Sequence, residues 1–198
     1  MRFFAAFLAA ATLLLAACDS GNKPPPFHAI DVTGNGSLGG DLALTDFNGK
    51  PRTLADFRGK VVVVTFGYTQ CPDVCPTTLQ DLNAAVKKLG PDASRVQVLF
   101  VTVDPKRDKP ELLREYVPAF NPGFIGLYGD DAATKKAASD FKVYYELSPG
   151  KTPETYTVNH SAQSFALDPQ GRMRLMIAPG TKPDAMAADF RRLLDTPG

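Results

Sequence analysis

The chain has 198 residues, 44% of them hydrophobic and 22% charged, a balance that suits one soluble domain with an N-terminal extension and leaves no room for two comfortable domains. Its 22 basic and 21 acidic residues give a formal charge of +1, which excludes the electrostatic footprint of a nucleic-acid-binding protein. Glycine and proline are scattered without a period, so they read as turns, and no internal repeat is visible.

Phe3 to Ala17 form an apolar run broken only by Thr12 and preceded by one positive charge, Arg2. The run is shorter than the ~20 residues of a membrane-spanning helix and reads as an export signal. It ends Leu15-Ala16-Ala17-Cys18, which resembles the lipobox of bacterial lipoproteins. That resemblance implies cleavage before Cys18 and a diacylglycerol on its thiol. The alternatives are an uncleaved anchor, or a soluble export signal with an incidental cysteine. Asp19 follows, which in some bacteria favours retention at the inner membrane. The expected location is the bacterial cell envelope, lipid-anchored and facing the periplasm. Residues 1–17 are then the signal peptide, 18–37 a Pro- and Gly-rich tether, and 38–198 the folded domain. With Cys18 used by the lipid, Cys71 and Cys75 remain as a close pair in an oxidising compartment.

The tether holds Pro24-Pro25-Pro26, a stiffening element, and just beyond it His28, expected as a solvated side chain. Leu42 to Phe47 and Arg52-Thr53-Leu54 flank Asn48-Gly49-Lys50 and predict a β-hairpin. The β-branched run Val61 to Phe66 suits a strand buried on both faces. Immediately after it comes Gly67-Tyr68-Thr69-Gln70-Cys71-Pro72-Asp73-Val74-Cys75-Pro76. Leu79, Leu82, Val86 and Leu89 then recur at helical spacing, predicting a helix from about Thr77 to Leu89. A second buried strand is expected over Val96–Val103, ending at Asp104-Pro105, then a helix over Glu111–Tyr116, a strand over Phe124–Leu127 and a helix over Ala132–Phe141. Ser164–Leu167 and Met173–Ile177 pair around Asp168-Pro169-Gln170-Gly171, and Asp184–Leu194 closes the chain as a helix. Met173 and Met176 read as core or edge packing. This order is that of an α/β, thioredoxin-like fold with an added N-terminal β-hairpin.

The cysteine pair falls where the first core strand turns into its helix, at the carboxyl edge where open α/β sheets collect their chemistry. Positions four apart on a helix share one face, and a helix N-terminus favours thiolates, the form that binds soft metal ions such as Cu(I). A structural disulfide would close only a tiny loop and constrain little. Thiol–disulfide catalysis, the usual work of this fold, uses Cys-x-x-Cys, whereas here three residues separate the cysteines. Thioredoxins also place a cis-proline before the final hairpin, and no proline lies between Pro153 and Pro169. That stretch holds Tyr156-Thr157-Val158-Asn159-His160-Ser161, expected as a loop facing the cysteines. Two thiolates and one imidazole suit Cu(I), and Cu(II) with a fourth ligand; zinc is chemically compatible as well.

Together, Phe66-Gly67-Tyr68-Thr69, Cys71-Pro72-Asp73-Val74-Cys75-Pro76, Thr102-Val103-Asp104-Pro105 with Arg107-Asp108, His160-Ser161 and Asp168-Pro169 resemble the Sco/SenC family of copper chaperones. The resemblance covers about Asp41 to Leu194. It implies copper held by Cys71, Cys75 and His160, with Asp104 and Asp108 as acidic accessory positions, and delivery to the copper centre of cytochrome c oxidase during its assembly. The implied partners are the copper-receiving oxidase subunit and another periplasmic copper chaperone or thiol reductase. Many members carry Asp before the histidine where this chain has Asn159, which leaves the fourth ligand open. The run Asp104 to Pro110 also reads as a charged turn before a helix. Two other functions compete: a thiol–disulfide reductase that uses the same pair to keep the oxidase's copper-ligand cysteines reduced, and a peroxiredoxin-type peroxidase. The latter would require neither Cys75 at this spacing nor His160.

Overall fold

A computed structural model describes residues 26–152 and 155–196, so the apolar N-terminal run and Cys18 lie outside the described residues. Among those described, no helix is long and apolar enough to cross a membrane. The elements in chain order are β1 (Ile30–Asp31), β2 (Leu44–Asp46), β3 (Pro51–Arg52), β4 (Val61–Gly67), α1 (Val74–Lys87), β5 (Val96–Thr102), α2 (Pro110–Phe120), β6 (Ile125–Tyr128), α3 (Asp131–Asp140), β7 (Tyr145–Ser148), β8 (Thr157–His160), β9 (Ser164–Leu167), β10 (Met173–Ile177) and α4 (Pro183–Leu194).

Eight of these strands form one sheet in the order β1-β10-β9-β4-β5-β6-β2-β3. At its centre, β5-β4-β9-β10 with α1 and α4 gives the thioredoxin-like arrangement, β4 and β5 parallel and β9 antiparallel to both β4 and β10. The expected N-terminal hairpin is present as β2–β3, which joins the sheet through β6. Every residue of β4 and β5 is buried, as their unbroken apolar runs require of strands covered on both faces. On one face Phe66 and Phe165 meet Phe141 just after α3; on the other Phe100 meets Tyr116 of α2. The residues at helical spacing in α1 (Leu79, Leu82 and Val86) are buried together, while Met173 and Met176 are half-buried against the core.

Three expectations are corrected. The 18–37 segment joins the fold before its end: Ile30 and Asp31 pair with Met176 and Leu175 on β10. There the His28 main-chain N–H and Nδ1 both lie 3.0 Å from the buried Asp189 carboxylate, while the side chain stays 57% exposed, as expected of a solvated histidine. Second, α2 runs through Phe120 rather than stopping at Tyr116, because its apolar face continues through the buried Val117. Third, Tyr156 to Ser161 is not a loop; Thr157–His160 is a strand paired with Tyr145–Ser148 in a separate two-stranded ribbon. β7 is only four residues long and largely exposed, too short an alternation to mark a strand.

Asp168, fully buried in the β9–β10 turn, accepts hydrogen bonds from the Gln170 and Arg172 main chain and from the Arg172 and Arg174 side chains. Burial works against its charge, yet these donors prevail and hold the carboxyl below its ordinary value. A depressed acid contributes stability that is present above the ordinary carboxylate range and lost as pH falls through the lowered value. Asp168→Asn is expected to cost about 2–3 kcal/mol in urea unfolding at pH 7, less than a fully buried ion pair because Arg172 is half exposed. The deficit should shrink on acidification; an unchanged midpoint would show that the turn does not depend on the charge.

Candidate metal centre

The site forms where β4 ends. Tyr68 follows the strand, and the Cys71 N–H closes a turn onto the Tyr68 carbonyl. Helix α1 then begins at Val74, three residues earlier than its apolar period suggested, so Cys75 sits in the first turn and Cys71 just ahead of it. Pro76 fits there because the first-turn N–H groups have no intrahelical partner to lose. Asp73 occupies the N-cap without a side-chain capping bond. Instead the Cys75 N–H donates to the Cys71 sulfur at 3.4 Å. The two cysteines therefore share a site through a capping geometry, not by lying on one face of a helix.

His160 arrives from the end of β8. Its Nε2 lies 3.4 Å from the Cys75 sulfur, and its Nδ1 lies 2.9 Å from the Ser161 carbonyl oxygen. A carbonyl only accepts, so Nδ1 carries the proton and Nε2 presents its lone pair to the sulfur. A hydrogen bond from the distal nitrogen is how metal-binding imidazoles are usually oriented. The ring also meets Tyr68 edge-on, centroids 6.0 Å apart. The donor atoms of Cys71, Cys75 and His160 all lie within 4.8 Å of one another, a set that could hold one metal ion. Both cysteines are unpaired and buried.

Burial pushes the Cys75 thiol well up, and its hydrogen bond and charge interaction with Cys71 add to the shift. Burial lowers the His160 pKa, partly offset by the Ser161 hydrogen bond, so the imidazole is held neutral. The unloaded site thus keeps a proton on Cys75, with Nε2 there to accept its hydrogen bond. A cavity of about 10 Å³, at the lower limit for a single water, adjoins Cys75 and His160.

Asp104 and Asp108 lie outside the cluster of donor atoms. Asp108 accepts hydrogen bonds from the Thr69 N–H and hydroxyl and from the Thr102 hydroxyl, tying the cysteine loop to β5. Burial raises its pKa despite those donors. Asp104 is held by Arg107 and by the Tyr156 hydroxyl. These acids brace the loops around the sulfurs. Two contributors escaped sequence reasoning. A Cβ at Gly67 would stand 2.8 Å from both the Cys75 sulfur and a Phe100 ring carbon, so only glycine leaves the sulfur its place. Tyr68, quoted there only as part of a motif, forms the wall behind His160. The signal for both was their position between a buried strand and the first cysteine.

Residues 30–195 match the SCO1/SenC family model. The chain belongs to the SCO1/SenC family. It is 42% identical over 134 residues to a mouse mitochondrial SCO2 homolog, covering 67% of this chain and 52% of that one. The chain therefore spans about half the length of the mitochondrial relatives it first matches. Among solved structures it is similar to Bradyrhizobium japonicum ScoI with copper bound, at 38% identity and a TM-score of 0.73, covering 79% of this chain and 99% of that one. Yeast Sco1 with copper bound is similar at 30% identity and a TM-score of 0.74, covering 81% and 90%. The α/β fold, with its thioredoxin-like centre, is that of these SCO1/SenC structures.

Proposed function

We propose that this protein is a copper carrier that holds one copper ion through Cys71, Cys75 and His160 and passes it to the copper centre of cytochrome c oxidase during assembly. The observation that carries the reading is the cluster of two sulfurs and one imidazole nitrogen within 4.8 Å, free of any carboxylate. Soft thiolates select Cu(I), and the added imidazole suits Cu(II). Copper is present in two similar SCO1/SenC structures, and the family resemblance supplies the oxidase as acceptor. The test is anaerobic titration of the reduced chain with Cu(I) against a competing chelator. One tightly held ion per chain is expected, and a reduced protein that takes up none would overturn the reading.

The reductase alternative draws on the same pair. Its attacking sulfur would have to be a thiolate open to a partner disulfide. Cys71 and Cys75 are both buried, which leaves neither sulfur open to a partner disulfide and favours holding a metal ion over exchange of disulfides.

The proposal includes an envelope location. Cys18 carries a lipid that anchors the chain to the membrane, residues 1–17 are removed, and the domain faces the periplasm, where a further copper chaperone or thiol reductase serves it. The support is the apolar run ending Leu15-Ala16-Ala17-Cys18. Cys18→Ala is expected to move the protein from the membrane to the soluble fraction, or to leave it unprocessed. A processed variant that still sediments with membranes would sink the anchor.

A further inference from the structure

The β7–β8 ribbon brings His160 to the centre, yet among the described residues it shares no ladder with the eight-stranded sheet. Apart from the short chain connection from His160 to Ser164 of β9, its position over the cysteine loop therefore depends on side chains. One anchor is Tyr68, whose hydroxyl is hydrogen-bonded by the main chain of Val158. The other gathers around Arg107. Tyr156, the residue before β8, lies with its ring centroid 3.6 Å from the guanidinium carbon of Arg107. Its hydroxyl donates to one oxygen of Asp104 at 2.7 Å, and the Arg107 Nε donates to the other at 2.5 Å. Arg107 Nη1 donates to the Tyr156 carbonyl at 2.8 Å and to Gln70 Oε1 at 3.1 Å. Asp104, just past the end of β5, is itself 2% exposed. One guanidinium thus ties together the cysteine loop, the end of β5 and the start of the histidine strand.

We propose that Arg107, Asp104 and Tyr156 form a latch that sets the position of His160 over Cys71 and Cys75. They are positioning residues and reach the metal only through the ribbon. Tyr156 and His160 stand four residues apart on an extended chain, about 13 Å, so fixing Tyr156 fixes where the far end of the strand points. A histidine on an unlatched ribbon would be seated in only a fraction of molecules, and apparent affinity falls by that fraction. Lysine cannot stand in for Arg107, because the contact uses a planar face against the ring and a fork of donors at its edge.

The latch rests on the copper reading for its metal readout alone; its effect on the ribbon can be measured without metal. The experiment compares the reduced full chain with Tyr156→Phe, Tyr156→Ala and Arg107→Lys. The readouts are amide hydrogen exchange in the metal-free state and the spin-resonance spectrum and affinity of added Cu(II). Tyr156→Ala and Arg107→Lys are expected to speed exchange over residues 145–148 and 157–160 about tenfold, with β4 and β5 unchanged. The Cu(II) spectrum should broaden into more than one species, and Cu(II) affinity should fall roughly tenfold, the lower end of the cost of losing a partner that orients a ligand. Tyr156→Phe keeps the ring and loses one hydrogen bond, so it should fall between these and the parent. Wild-type exchange and spectra in Tyr156→Ala would overturn the proposal. Should that variant fail to fold, Tyr156→Phe decides: ribbon exchange and spectra unchanged from the parent would overturn it equally. If the parent chain binds no copper, the copper reading fails and the exchange data still judge the latch.

Discussion

Replacing either Cys71 or Cys75 by serine is expected to abolish tight copper binding in the reduced protein. Each removes one of two soft donors from a cluster that contains no carboxylate to replace it. The loss should exceed the roughly 10–100-fold that outer-shell partners cost, and a chelator competition titration reads it directly. Unchanged affinity in either variant would remove that cysteine from the ligand set. In the parent, Cys75 gives up a proton to bind, because burial holds its thiol protonated when the site is empty. Copper affinity should therefore rise with pH across the neutral range, by up to about tenfold per pH unit for each proton released. The fold supports both substitutions, since serine fits in the place of cysteine and the Cys75 N–H can still find an oxygen at position 71.

The second large effect is expected at His160. His160→Ala removes the nitrogen that faces the Cys75 sulfur. Cu(I) can be held by two thiolates alone, so Cu(I) uptake should survive with reduced affinity. Cu(II) relies on the imidazole and should lose its parent spin-resonance spectrum. Oxidase activity in complemented, copper-limited cells should fall alongside. The substitution lies at the end of a two-stranded ribbon, outside the eight-stranded sheet, so the melting transition should hardly move. A parent-like Cu(II) spectrum together with full complementation would show that His160 is no ligand and return the reductase reading to first place. Loss of the spectrum with complementation intact would mean that Cu(II) is bound but is not the cargo that matters.

The central layer of the fold was legible because its residues are governed by one strong term. Val61 to Phe66 and Val96 to Val103 are apolar without interruption, and burial on both faces is the state that satisfies such runs. His160 was legible too, since a histidine stands in a stretch where the redox members of the fold keep a proline. What stayed hidden was decided by partners distant in sequence. Ile30 and Asp31 carry no period of their own and become a strand because β10 offers an open edge. Tyr145–Ser148 alternates over only four residues, too short a stretch to stand out, and becomes a strand because Thr157–His160 folds back on it. The start of α1 was misplaced by three residues because its first turn is capped by the sulfur of Cys71, which no capping rule for oxygen side chains anticipates. Arg107 read equally well as part of a charged turn until Tyr156 was found lying across it.

The pairing of β1 has a directional meaning. Ile30 stands opposite Met176, Met176 opposite Phe165 and Phe165 opposite Val64, so β1 runs antiparallel to β4 level with its middle, while Phe27 just before it packs on Arg174 and on Arg192 in the last turn of α4. Three strand spacings, about 14 Å, separate β1 from β4, the strand that leads into the cysteine loop. From Cys18 to Phe27 there are about ten residues, whose fully extended length is at most roughly 35 Å. A pull along those residues would fall first on Phe27 and β1, against α4 and β10, and leave the cysteine loop and the histidine ribbon unloaded.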